Sequence, residues 1–391
     1  MTTNRRSLIV LVLGFTLLGM PGATLGVAWP SMADDLARSL GDLGVLTIVT
    51  GSAYSVMSLA SGNLSRRFSA GRMLVGAAVA AALALALYSI ADAWWLLIVA
   101  SVPLGASGGA IDAIGNSFVA VRRGARSMGA IHAAFGFGSM VAPLAMTGII
   151  AIGAPWRVGF AILAGAEVIL AIGYLTIAAV IRMPMEGRSE RPRRIGRVRV
   201  LAMSVWVFFI YAGVEGSTSL WAFTLLTEGQ GIDDTIAGLA VAAHWGALFT
   251  SRLLIGIRGN RMPLDATISA SVLGIGVGLG MLWWNPAPWV AIAGLVFAGF
   301  ANGPVFPFEV MLTSRRFGAE FTPWAVGYQL AAATAAIAIV PAVIGLVVNA
   351  YGPLAIAGVL ALLSLVMIAS VETLRVVSNR SAGTPMPVST P

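Results

Sequence analysis

The chain contains no cysteine and no lysine, only two histidines, and charged residues at just 10% of its 391 positions. Each shortage excludes something. Without cysteine there is no disulfide, no thiolate nucleophile and no cysteine-ligated metal. His132 and His244 stand far apart in an otherwise apolar chain and form no metal-ligand spacing. A soluble domain carries about 25% charged residues. A chain that is 10% charged, 58% hydrophobic and of mean hydropathy +0.90 is built to sit in lipid. No phosphate loop or nucleophile constellation emerges, so neither an enzyme nor a bound cofactor is expected.

What the sequence has instead is long apolar runs. Twelve stretches approach the roughly 20 residues needed to cross about 30 Å of hydrocarbon. They are expected at 8–29, 43–62, 73–91, 95–121, 128–151, 157–181, 200–226, 235–257, 264–284, 288–312, 323–349 and 353–374. The run that follows Arg5 and Arg6 is read as a retained first span rather than a cleaved leader.

All 24 basic residues are arginines, and most of them sit in alternate links. Arg66, Arg67 and Arg72 follow the second span, Arg122, Arg123 and Arg126 the fourth, Arg258 and Arg261 the eighth, Arg315 and Arg316 the tenth, and Arg375 and Arg380 the last. The link 182–199 is the most basic. The other side offers Arg38 and Arg157 among Asp34, Asp35, Asp42, Asp92, Glu228, Asp233 and Asp234. The positive-inside rule then puts both termini in the cytoplasm of a bacterial-type cell membrane. The net charge of +8 reads as a topology signal, not a nucleic-acid face. Trp29, Trp94, Trp95, Trp156, Trp283, Trp284 and Trp289 fall near the outer ends, as an interfacial belt would.

The two halves look related. VAVRR (119–123) and MLTSRR (311–316) end the fourth and tenth spans with their arginines 193 residues apart, and Gly-Met-Pro-Gly (19–22) lies 194 residues before Gly-Val-Glu-Gly (213–216). Pro143 and Pro341 fall in the fifth and eleventh spans. A common offset around a basic link argues for two six-helix repeats with a solute site near the midplane between them. The expected organisation is an all-α membrane protein with a bundle at 1–181, a basic linker at 182–199, a second bundle at 200–375 and a disordered tail at 376–391.

Polar residues inside the spans mark the candidate site, because an ionisable group at the bilayer centre costs roughly 2.5–3.5 kcal/mol on insertion scales. Asp112 and Asn116 share one helical face behind Gly105, Gly108 and Gly109, and His132 lies in the next span. Glu215 stands between Gly213 and Gly216, with Trp221 further along, able to stack on a sugar ring or to anchor at the interface. Asn302, Phe306 and Glu309 share a face in a segment broken by Pro304 and Pro307. Gln329 and His244 are weaker candidates, and for each residue a purely structural hydrogen bond is the alternative. Glu167, in the sixth span, is read as an inter-helix hydrogen bond or a protonated acid. The solute-binding set is thus Asn116, His132, Glu215, Trp221, Asn302, Phe306 and Gln329, with Asp112 and Glu309 as proton carriers.

Four stretches, GGAIDAIGNSFV, IHAAFGFGSMVAP, YAGVEGSTSLWAFTLL and HWGALFTSRLLIG, resemble the major facilitator superfamily, and within it the fucose:proton symporter branch. The resemblance covers nearly the whole chain. It implies a twelve-helix transporter, monomeric, moving a small hydroxylated solute together with protons. It also makes Asp112 a proton or hydroxyl ligand, with Asn116 four residues on and His132 as a hydrogen-bonding partner. The first span carries no acid, and Arg66 stands where the superfamily places one. GSMVAPLAMTG partly resembles the antiporter motif, so a proton-driven drug or metabolite exporter is the alternative, and a non-transporting sensor a more distant one.

The topology has a direct test. Reporter fusions after residues 186 and 391 are expected to read cytoplasmic, and an external signal from either would overturn the helix count.

Overall fold

The computed structural model describes residues 2–122, 125–181, 198–258 and 262–382. It consists of α1 (Thr2–Asp35), α2 (Leu43–Arg67), α3 (Ala70–Ile90), α4 (Trp94–Arg122), α5 (Ala125–Ala151), α6 (Arg157–Ile177), α7 (Val198–Thr224), α8 (Asp234–Arg258), α9 (Leu264–Trp284), α10 (Pro288–Asn302), α11 (Val305–Tyr351) and α12 (Ala355–Ala382). Among the described residues twelve spans are long and apolar enough to cross a membrane, the number expected. The fold is all-helical because lipid offers backbone groups no partner and each span must satisfy its own.

Most of the 182–199 link lies outside the described residues, as do Arg123, Arg261 and the side chains of Arg66, Arg122, Arg126, Arg258 and Arg380. The expected tail is shorter than 376–391. Helix α12 continues to Ala382 because Val376 and Val377 extend its apolar pattern and Val377 packs on the core; residues 383–391 lie outside the described residues.

The tenth and eleventh spans differ most from expectation. The helix interrupts after Asn302, restarts at Val305 and then runs on to Tyr351. Pro307 sits in the first turn of the new segment, where its missing N–H costs nothing. The division between the spans falls at Gly318, whose φ of 76° and ψ of 164° suit a residue without a Cβ.

Packing repeats with a period of six helices. The pairs α1–α5, α2–α4, α3–α6 and α3–α4 have counterparts in α7–α11, α8–α10, α9–α12 and α9–α10. Contacts across the halves run α2–α11, α5–α8 and α1–α7. Small residues make these seams. A Cβ on Gly44 would stand 2.7 Å from the Cα of Ala342, and one on Gly26 would stand 2.9 Å from the Leu220 carbonyl. The Gly41 amide donates to Asn349 Oδ1 at 3.0 Å. Close backbone approach of this kind supplies the van der Waals packing that holds helices together in lipid. Every glycine contact between the halves lies at mid-span or at the end remote from the termini. The seam is therefore tight there among the described residues.

Two tryptophans depart from the expected belt. Trp29 is buried and donates to the Leu40 carbonyl at 2.6 Å, and Trp156 is buried with its N–H on Asp35 at 3.2 Å. Trp95, Trp283, Trp284 and Trp289 do stand exposed. The two arginines at this end are neutralised in place: Arg157 pairs with Asp35 and also donates to the Ala91 carbonyl, and Arg38 pairs with Asp42 at 2.9 Å.

Candidate functional site

Polar side chains from both halves converge at mid-membrane. In the first half, Asn116 Nδ2 donates to Asp112 Oδ1 at 2.8 Å, one helical turn apart on α4. The Tyr54 side chain of α2 lies beside the same carboxyl. Helix α2 can come this close because Gly105 and Gly109 of α4 lie against the Thr50 and Tyr54 carbonyls. Asp112 is thus held by two neutral groups and paired with no cation among the described residues. The second carbonyl demand is unmet: Asn116 Oδ1 is buried without a partner.

His132 is exposed, with its ring edge-on to Phe15 at 6.0 Å. Across from it stands a group that the sequence reading missed. Arg252 of α8 reaches Glu215 of α7, Nη2 to Oε1, at 3.3 Å, and its charge acts on His132. Tyr211, one turn before Glu215, stands beside both members of the pair. Its hydroxyl also donates to the Asn302 carbonyl at 3.2 Å. Tyr211 further lines a narrow crevice with Phe306 and Glu309, where Phe306 meets Phe208 edge-on at 5.6 Å. Asn302 is buried, and its Oδ1 has no partner.

Other candidates lie in packed surroundings. Glu309 is buried in a two-point ion pair with Arg316, at 2.6 and 3.4 Å. Gln329 is buried beside it and exchanges a hydrogen bond with Thr313. The Gln329–Thr313 exchange joins the two arms of α11 across Gly318, whereas Glu309 and Arg316 both lie on the first arm. Trp221 is fully buried and donates to the Pro341 carbonyl at 3.1 Å, so its ring fills the seam between α7 and α11 instead of facing the polar centre. His244 is likewise buried, with Nδ1 on the Leu295 carbonyl at 2.8 Å. Glu167 is buried, and the inter-helix hydrogen bond expected for it is not found: Oε2 has no partner, nor has the hydroxyl of Tyr174 two turns on. A separate cavity of about 390 Å³, lined by Thr147, Phe223, Asp233 and Thr235, opens at the remote end, away from this centre.

Twelve spans in two repeats around a polar midplane define an architecture, and the sequence supplies the family. The sequence model of the Major Facilitator Superfamily matches residues 11–221, more than half of the chain. The chain belongs to the Major Facilitator Superfamily. It is accordingly a multi-pass membrane transporter working by alternating access, not an enzyme. "Bypass of stop codon protein 6" of Saccharomyces cerevisiae is 22% identical over 385 residues, which cover 88% of this chain and 77% of that one. Among solved structures, the nucleoside transporter NupG superposes with a TM-score of 0.73 at 15% identity, covering 95% of this chain and 99% of that one. A bacterial homologue of the human lysosomal transporter Spinster, in an inward-facing and occupied conformation, gives 0.71 at 14%, with coverage of 97% and 96%. The human organic anion transporter MFSD10 gives 0.68 at 15%, with coverage of 94% and 99%. At these identities the superpositions establish the superfamily fold alone.

The Glu309–Arg316 pair yields a stability prediction. Removing one partner strands the other charge in the protein interior, a cost of about 3–5 kcal/mol. Arg316→Ala should therefore lower Tm markedly in detergent, and Glu309→Gln combined with Arg316→Gln should recover much of the loss. An unchanged Tm for Arg316→Ala would remove the pair from the structural framework.

Proposed function

We propose that this superfamily member carries a small hydroxylated solute, a sugar or polyol, across the cytoplasmic membrane, coupled to protons, with both termini in the cytoplasm. The observation that supports this reading is the pairing of Asp112. The other two central carboxylates have arginine partners, whereas among the described residues Asp112 has Asn116 and the neighbouring Tyr54 and no cation. A carboxyl held by neutral donors can gain and lose a proton without stranding a cation, and its neutral form is the cheaper one to enclose in the membrane.

Hydroxyl recognition fits the remaining groups. Asn116 Oδ1 and Asn302 Oδ1 are acceptors without donors, and His132 lies exposed between the halves. A site made to hydrogen-bond hydroxyls discriminates because ligands lacking them leave its buried polar groups unpaired. With the remote end sealed by glycine contacts, solute would enter or leave from the termini side in this conformation. The fucose:proton symporter branch is the nearest functional analogy, carried by Asp112 and Asn116 on α4.

The coupling test uses a solute found by a thermal-shift screen of sugars, polyols and lipophilic cations, since binding to the folded state raises apparent stability. In vesicles, Asp112→Asn keeps the shape and hydrogen-bonding capacity but cannot cycle a proton. It is expected to abolish uphill accumulation under a proton-motive force while retaining exchange down a gradient. Accumulation that survives Asp112→Asn would exclude Asp112 as the obligatory carrier. A screen in which only lipophilic cations bind would favour the exporter.

A further inference from the structure

The Arg252–Glu215 pair differs from the other buried pair in ways that matter for binding. Arg316 is almost wholly enclosed, its side chain 6% exposed, and holds Glu309 at two points. Arg252 is 25% exposed and touches Glu215 by one contact at 3.3 Å, near the limit of a hydrogen bond. Its Nε–H is buried and has no partner at all. A guanidinium presents five donors in a rigid fork that matches a carboxylate at two points. Here that capacity is largely unused, in a medium where unsatisfied donors are costly.

The position is central. Arg252 stands on α8 of the second half, Glu215 and Tyr211 on the neighbouring α7, and His132 on α5 of the first half, close enough to feel its charge. A group bound at Arg252 would therefore lie between the halves, within reach of both. We infer that Arg252 is an anion subsite and that the transported solute is a hydroxylated carboxylate, of the sugar-acid class. Glu215 is its resident stand-in: it neutralises Arg252 in the empty site and yields when a solute carboxylate takes the fork. Charge balance supports the exchange. At the guanidinium one carboxylate replaces another, so Arg252 stays neutralised throughout. Tyr211 and Arg252 are the groups that face Glu215 in this step.

This inference rests on the reading of the cavity as a hydroxylated-solute site, and the test separates the two. Binding to the purified full chain is measured by calorimetry with three probes: sorbitol, which has hydroxyls only; gluconate, which has hydroxyls and a carboxylate; and hexanoate, which has a carboxylate only. Gluconate is expected to bind on the order of tenfold more tightly than sorbitol, the scale of one charge-assisted hydrogen-bond set. Arg252→Gln should bring gluconate down to the sorbitol level, and Arg252→Lys should keep part of the preference. Glu215→Gln should bind gluconate at least as tightly as the parent, because the internal competitor is gone and the fold keeps an isosteric side chain. Equal binding of sorbitol and gluconate, or a gluconate preference that survives Arg252→Gln, would overturn the anion subsite and leave the hydroxylated-solute reading standing. Arg252-dependent binding of hexanoate as tight as that of gluconate, with no binding of sorbitol, would support the subsite and overturn the hydroxyl requirement. If none of the three binds, both fall.

Discussion

A charge in hydrocarbon must be paired, neutralised or kept wet, and this protein solves the problem in three ways. Glu309 is locked to Arg316 at two points and sealed. Glu215 holds Arg252 at one point and stays partly accessible. Asp112 has no cation and leans on Asn116 and Tyr54. The gradation from locked to loose to unpaired follows from where each residue sits. Glu309 lies on the first arm of α11 in a crevice with Phe208 and Tyr211 of α7, Glu215 faces α8, and Asp112 lies beside Tyr54 of α2. Removing a partner should cost most where enclosure is most complete.

The same constraint explains the seams. Two six-helix halves must separate and rejoin at each end, so their mutual contacts cannot be bonds that are expensive to break. Glycine against alanine, glycine or a backbone carbonyl provides close fit through many weak contacts. A single amide-to-Asn349 hydrogen bond fixes the register of α2 against α11. Such a seam holds when closed yet exposes no charge when it parts. The arginine–aspartate pairs at that end, Arg38–Asp42 and Arg157–Asp35, stay within the first half and do not tie the halves together.

Much of this was legible in the sequence because the bilayer is a strict solvent. Apolar runs of fixed length gave the spans, arginines gave the alternation of links, and a common offset gave the repeat. Asp112 with Asn116 was readable because helical spacing places residues four apart on one face. Partners from other helices were not. Tyr54 and Arg252 reach Asp112 and Glu215 from α2 and α8, and no local spacing encodes that. Arg252 had left a signal all the same: an arginine inside the apolar run HWGALFTSRLLIG calls for an acid elsewhere in the membrane. Tyr211, four residues before Glu215, was readable in the same way. Trp29, Trp156 and Trp221 misled because tryptophan serves the interface and the core alike, and only burial and the N–H partner distinguish the two. Gly318 was hidden among 46 glycines, of which few need a positive φ.

The central claim is that the halves seal the remote end along α2 and α11 and that transport requires this seal to open. The chain's lack of cysteine makes the claim directly measurable. In Gly51→Cys combined with Ala338→Cys, the two thiols would be the only ones present, and the Cβ added at 51 points at the Cβ of Ala338 across the same α2–α11 seam. Under oxidation the pair should cross-link. The protein should then still bind solute from the termini side, cease to transport, and recover when the bond is reduced. Transport continuing at the parent rate with the cross-link intact would contradict the account.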